Sequence, residues 1–219
     1  MIFFLFIVKV RHRLIKQMIR SNLLALRPIE KTDDYLLQVL MNNQLISENV
    51  VGWTFPVSLF SQAKWIENNV NAANYRLIII DIETDEPIGI TGLWDIDWHN
   101  QMALSAIKLI PEKVKKGFGT DAIMLTMAWA FYNVGLRRLY GSILDFNGPS
   151  MGAYVRKGGW RVEGRQREAI FRKGQWHDLY NVAILKSDFD KLPNASKYID
   201  YVCPVDTTPN INLDLKSFM

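Results

Sequence analysis

Cysteine is nearly absent: Cys203 is the one cysteine in 219 residues. No internal disulfide can form, a disulfide scaffold is excluded, and a reducing, cytoplasmic location is expected. Long apolar runs are missing as well. The longest, MIFFLFIV at the start, has eight residues, against the roughly 20 that cross a bilayer, so no stable membrane insertion is expected. Its positive charges follow it, the reverse of a secretory signal. Histidine is scarce, and His12, His99 and His177 show no metal-ligand spacing, so no metal is expected. There is no internal repeat, no P-loop and no G-x-G-x-x-G after a first strand. No serine has a recognisable His/Asp arrangement, which argues against nucleophilic catalysis.

What is present is an ordinary globular composition, 49% hydrophobic, 22% charged and 12% aromatic. Intrinsic disorder is excluded. The expected organisation is a basic N-terminal extension over 1–21, one domain over 22–190 and a C-terminal tail over 191–219. The net charge of +4 and pI of 9.1 are unevenly distributed. Residues 1–22 carry five bases and no acid, residues 23–107 four bases and eleven acids, and residues 108–173 thirteen bases and five acids. The basic balance therefore predicts no nucleic-acid partner for the domain. It suggests an anionic ligand on the second half and a cationic one on the first. Residues 1–17 read as an upstream extension, with an amphipathic surface anchor as the alternative.

Periodicity predicts strands over 22–29, 75–82, 88–97, 102–110, 137–144, 160–172 and 176–186, and helices over 31–42, 58–71, 117–134 and 149–157. Residues 45–56 read as irregular, and 187–219 as a tail on the surface or partly mobile. Strands and helices alternating around a central antiparallel meander argue an α/β (α+β) three-layer domain.

The most specific local signal is PEKVKKGFGTDA over 111–122, where a strand ends at proline and a basic, glycine-rich loop opens a long helix. Gly117 and Gly119 permit close backbone approach. The first helical N–H groups lack internal partners, and the helix dipole adds partial positive charge. Lys113, Lys115 and Lys116 supply further charge.

This loop and its companions resemble the GNAT superfamily of N-acetyltransferases, specifically a RimJ/RimL-like subgroup, over residues 22 to about 190. Val114, Lys115, Lys116, Gly117, Phe118 and Gly119 fall where that family has Gln/Arg-x-x-Gly-x-Gly/Ala, with Val114 departing from the usual Gln or Arg. Asn147 and Ser150 match its Asn-x-x-Ser, and KGGW over 157–160 its Lys-x-Gly-Phe. Residues 163–169, 174–178 and 183–185 match the closing hairpin of the subgroup. The resemblance implies a mixed, mostly antiparallel sheet splayed between its fourth and fifth strands, with acetyl-CoA wedged into the opening. Val114 to Gly119 and Thr120 would hold the pyrophosphate, Leu109 would bond the pantetheine amides, and Asn147 and Ser150 would flank the pantetheine arm.

The implied activity is acetyl transfer from acetyl-CoA to a primary amine by direct attack. The acceptor would be a small cationic amine, an aminosugar or a protein N-terminus, and a homodimer is compatible. Presenting a free amine at pH 7 costs roughly 4.6 kcal/mol against an alkylammonium pKa near 10.4, so a general base is expected. Glu48 is the candidate, with Asp95 and Asp97 as alternatives. The resemblance places a thiolate-protonating tyrosine on the helix after Asn-x-x-Ser. Counting forward from Asn147 gives Tyr154, and counting back from Lys157 gives Val155; one extra residue separates the registers. The competing reading is a catalytically weak acyl-CoA-binding or regulatory module.

Overall fold

In the computed structural model, which describes residues 19–52, 55–68, 73–114 and 116–204, the β-branched and aromatic runs become one sheet. Among these residues it has eight strands in the order 1-2-3-4-5-6-8-7. β1 (Ile19–Arg20), β2 (Leu24–Pro28), β3 (Tyr75–Asp81), β4 (Glu86–Asp97) and β5 (Met102–Leu109) form an antiparallel meander. β6 (Arg138–Leu144) joins β5 in parallel. β8 (Gln175–Leu185) pairs antiparallel with β6, and β7 (Arg161–Arg172) with β8.

The two-residue period of the strands sends alternate side chains to two cores. On one face Ile78, Ile80 and Ile90 pack under α1 (Asp34–Asn42), α2 (Gln44–Asn49) and α3 (Leu59–Glu67). On the other, Leu77, Ile79 and Leu26 pack under α4 (Phe118–Tyr132). α4 is buried on nearly every side, from Phe118 and Ala122 through Met124 and Leu125 to Phe131, not along one stripe. A helix apolar all round suits an element enclosed between a sheet and other helices. α5 (Gly148–Met151) runs directly into a π-helical turn, Gly152–Lys157. No described helix is long and apolar enough to cross a membrane.

Three segments depart from expectation. Residues 45–56 are not wholly irregular, because Asn43 caps α2 by accepting from the Ile46 N–H at 3.2 Å. Asparagine at an N-cap satisfies a helical donor that has no intrahelical partner. Residues 187–203 are not a surface tail: α6 (Lys186–Phe189) and α7 (Ala195–Val202) place Phe189, Ala195 and Tyr198 in the main core. At the other end, Ile19 and Arg20 pair with Leu26 and Ala25. The Ser21 hydroxyl donates to Asp121 of α4. Tyr198 donates to the same carboxylate at 2.6 Å, so Asp121 ties both ends of the fold to the central helix. Residues 1–18 and 205–219, which hold most of the two expected extensions, lie outside the described residues.

Candidate active site

β5 and β6 pair only at Met102↔Arg138, Ala103↔Leu139 and Leu104↔Tyr140, then diverge. Each is held along its far edge, β5 by β4 as far as Leu109 and β6 by β8 as far as Leu144. Neither can bend back to close the gap. With β1 as the first strand, the splay lies between the fifth and sixth strands; with β2 as the first, between the fourth and fifth.

The N–H of Ile110 donates to Ile88 of β4 at 2.9 Å. By strand alternation the amides of Leu109 and Ile107 point the opposite way, into the splay. These backbone groups are ready partners for an extended amide-bearing ligand.

The splay opens a cleft of about 1040 Å³. Leu109, Val114, Gly117, Gly119, Thr120, Asn147, Ser150 and Tyr154 all line it, so the chain brings together residues up to 45 positions apart. Gly117 is the N-cap of α4 and holds φ +94°, a left-handed conformation that side chains strain to adopt. The start of the buried α4 therefore faces the cleft with its backbone bare. Asn147 is buried and spends its side chain on the backbone. It accepts from the Ser150 N–H at 3.0 Å and donates to the Asn49 carbonyl at 2.7 Å, fastening the 147–157 segment to the end of α2.

The two registers that disagreed by one residue are reconciled by the π-helical turn, whose wider coil carries the extra residue. Tyr154 remains on the cleft wall, with Trp160 packed edge-on to its ring at 4.9 Å. Burial pushes its hydroxyl well above the usual phenol range, so it is fully protonated at neutral pH.

Other expected residues lie elsewhere. Phe118 is buried in the main core, and Lys116 is exposed and does not line the cleft. Lys115 lies outside the described residues. Lys113 is paired with Asp81 at 2.6 Å.

Glu48 does not line the cleft. Its carboxylate accepts from Lys173 and from Gln44, each at 2.8 Å. The hydrogen bond from Lys173, then that from Gln44, holds it below the usual range and makes it a poor base. Asp97 caps the turn before β5, accepting from the Asn100 backbone at 2.8 Å and side chain at 2.7 Å.

Sequence reasoning missed three cations that line the cleft, Lys108, Arg156 and Lys157, and the α2 residues Leu45, Ile46 and Asn49. Arg156 and Lys157 were legible only as part of a charge excess. Among the described residues no acid lines the cleft, and no group of His, Cys, Asp or Glu could hold a metal ion.

A splayed mixed sheet, a glycine-capped helix at its opening and a bare strand edge along one wall define a fold that binds an extended phosphorylated ligand. Residues 24–159 match the family described as the Acetyltransferase (GNAT) domain, and the chain belongs to that family. It is an N-acetyltransferase, and acetyl-CoA is its acyl donor.

Similar proteins agree. A prophage-derived uncharacterized N-acetyltransferase of Bacillus subtilis, YokL, is 23% identical, the match covering 76% of this chain and 92% of that one. The spermidine N(1)-acetyltransferase of Vibrio cholerae is 24% identical over 77% of this chain and 96% of its own. A crystal structure of the Vibrio cholerae spermidine N-acetyltransferase in complex with CoA and spermine superposes with a TM-score of 0.71 at 24% identity, covering 77% of this chain and 98% of that one.

Proposed function

We propose that the protein transfers acetyl from acetyl-CoA to a primary amine by direct attack in a ternary complex, as a member of the RimJ/RimL-like subgroup. The observation that carries this reading is the convergence on one cleft of the bare Leu109 edge, the Gly117 cap and Tyr154. Pyrophosphate would meet the first N–H groups of α4, with Thr120 beside them and Arg156 and Lys157 adding charge at the wall. The pantetheine arm would extend the edge of β5, aiming the thioester at the point where β5 and β6 part.

The amine attacks the thioester carbonyl, and the backbone N–H groups of β5 stabilise the oxyanion. The carbon–sulfur bond then breaks, and Tyr154 donates its proton to the departing thiolate. The proton lost by the amine passes to solvent, because Glu48 is engaged by Lys173 and Gln44 and does not line the cleft. The π-helical turn that still delivers Tyr154 to the wall favours a working enzyme over a CoA-binding module.

The test begins with binding. Acetyl-CoA should raise the melting temperature of the protein, and Gly117→Glu should abolish the rise by placing a carboxylate at the phosphate end. No shift in the wild-type chain would overturn the assignment of the cleft. Release of free thiol in the presence of amines then reads the transfer itself.

A further inference from the structure

A second cavity, of about 450 Å³, lies on the other face of the sheet, between it and helices α1 and α3. It meets the donor cleft at Ile107 and Lys108, which line both. An acceptor standing in it would reach the thioester at the splay.

Its shape follows from the strand registers. Arg76, Gly92 and Ala106 lie side by side across β3, β4 and β5. A β-carbon at Gly92 would strike the Tyr75 carbonyl oxygen at 2.1 Å, so no side chain can fill the place beside Arg76. Ala106 is the small residue of this row that lines the cavity, together with Arg76. Lys108, in the neighbouring row, lines it as well.

The charge of this hollow is unusual. Nε and Nη1 of Arg76 are buried and donate to no acceptor. Among the described residues Nη2 reaches the Asn74 side-chain oxygen, at 3.5 Å. The indole rings of Trp65 and Trp94 lie 4.8 and 5.7 Å from the guanidinium carbon. Asp95 is exposed and acts on Arg76 by charge at longer range, without an ion pair among the described residues. Lys108 donates to the Met41 sulfur at 3.2 Å, a weak acceptor, and burial lowers its pKa. Among the described residues no carboxylate lines the cavity. Buried guanidinium N–H groups are costly unless they find acceptors, and buried cations are ordinarily paired. An arginine that lines an apolar hollow and carries buried donors without acceptors is a ready receptor for an oxyanion.

We infer that the acceptor amine carries an oxyanion, a carboxylate or a phosphate, on an apolar body, and that Arg76 with Lys108 binds this group in the second cavity. The inference rests on the proposed acetyl transfer and names its acceptor class. The anion settles between Arg76 and Lys108, Trp65 and Trp94 cover the apolar body, and the amine points to the junction with the donor cleft. A polyamine would bring further positive charge into a hollow that holds two cations and no acid.

Thiol release from acetyl-CoA with matched acceptors tests this. Leucine and phenylalanine are compared with their amides, which keep amine and body and lose the acid. O-phosphoethanolamine separates a phosphate from a carboxylate, and spermidine is the cationic arm. An anionic acceptor should exceed the neutral amides and spermidine by about ten-fold or more in kcat/KM, because neutral partners leave the guanidinium unpaired. Arg76→Gln and Lys108→Met should each raise KM for that acceptor by about ten-fold, and Arg76→Gln should leave the affinity for acetyl-CoA unchanged. Calorimetric titration with N-acetylleucine and N-acetylleucinamide reads the same preference without turnover.

Equal use or binding of acid and amide, a preference for spermidine, or an acid preference that survives both substitutions would overturn the anion site and leave acetyl transfer standing. A chain that neither responds to acetyl-CoA nor releases thiol with any amine would overturn both.

Discussion

Tyr154 and Asp81 show how burial acts on single groups with different results. Desolvation alone raises the Tyr154 hydroxyl, so the phenol is held protonated beside the cleft and makes a weak but always loaded acid. Tyr154→Phe should lower kcat about ten-fold with little change in the KM for acetyl-CoA; an unchanged kcat in steady-state assays would remove it from the mechanism. Burial also pushes the Asp81 carboxyl up, but the hydrogen bond from Lys113 and those from the Glu83 and Thr84 backbones outweigh it and hold the group low. A carboxyl lowered in the folded state stabilises above its unfolded pKa, near 3.9. That contribution is lost as pH falls through the folded value. Melting temperatures followed from pH 7 to pH 3 should therefore drop more steeply for the wild-type chain than for Asp81→Asn, which starts lower at neutral pH. Parallel curves would show that this pair does not govern acid stability.

At the level of elements, α4 and α7 are joined by one carboxylate. Asp121 accepts from Ser21 and from Tyr198, and its charge adds to burial in raising the Tyr198 hydroxyl. Tyr198→Phe removes a donor from a part-buried carboxylate, a cost of about 1–2 kcal/mol. That corresponds to about 2–8 °C in melting temperature for a chain of this size, with acetyl-CoA binding retained because no residue of α7 lines the cleft. Loss of acetyl-CoA binding would show that the C-terminal helix sets the position of α4. β2 to β8 and α4 were legible from their apolar and β-rich runs, since YRLIIID and the apolar content of 118–132 allow few alternatives. α7 was not. Its apolar positions, Ala195, Tyr198 and Tyr201, read as ordinary surface residues until Phe131 and Phe189 give them something to pack on. The π-helical turn was visible only as a disagreement between two registers.

Across the whole molecule, the charge partition acquires a different meaning. Three of the acids of residues 23–107 are held in ion pairs. Asp33 pairs with Arg27 at 2.7 Å, Asp81 with Lys113 and Glu48 with Lys173, and the acceptor-side cavity holds Arg76 and Lys108 instead. The excess of residues 108–173 does reach the donor cleft, through Arg156 and Lys157. The five bases of residues 1–22 account for the high pI. Deleting residues 1–17 should accordingly leave the acetyl-CoA stabilisation unchanged and abolish any salt-sensitive retention on DNA. Retention that survives the deletion would assign the basic surface of the domain to nucleic acid.

The sequence by itself determined the order of strands and helices, the glycine-capped loop over 111–122 and, through motifs separated by fixed intervals, the donor of the reaction. These are local properties: strand period, capping and backbone permissiveness need only neighbouring residues to be expressed. The tertiary structure decided which charges stand free. Glu48 is paired with Lys173, 125 positions away, whereas Arg76 and Lys108, 32 positions apart in the sequence, line one hollow with Ala106. A linear count of charge cannot distinguish a paired carboxylate from an unpaired guanidinium, because pairing is a matter of distance and burial, and both are fixed only when the strands come into register.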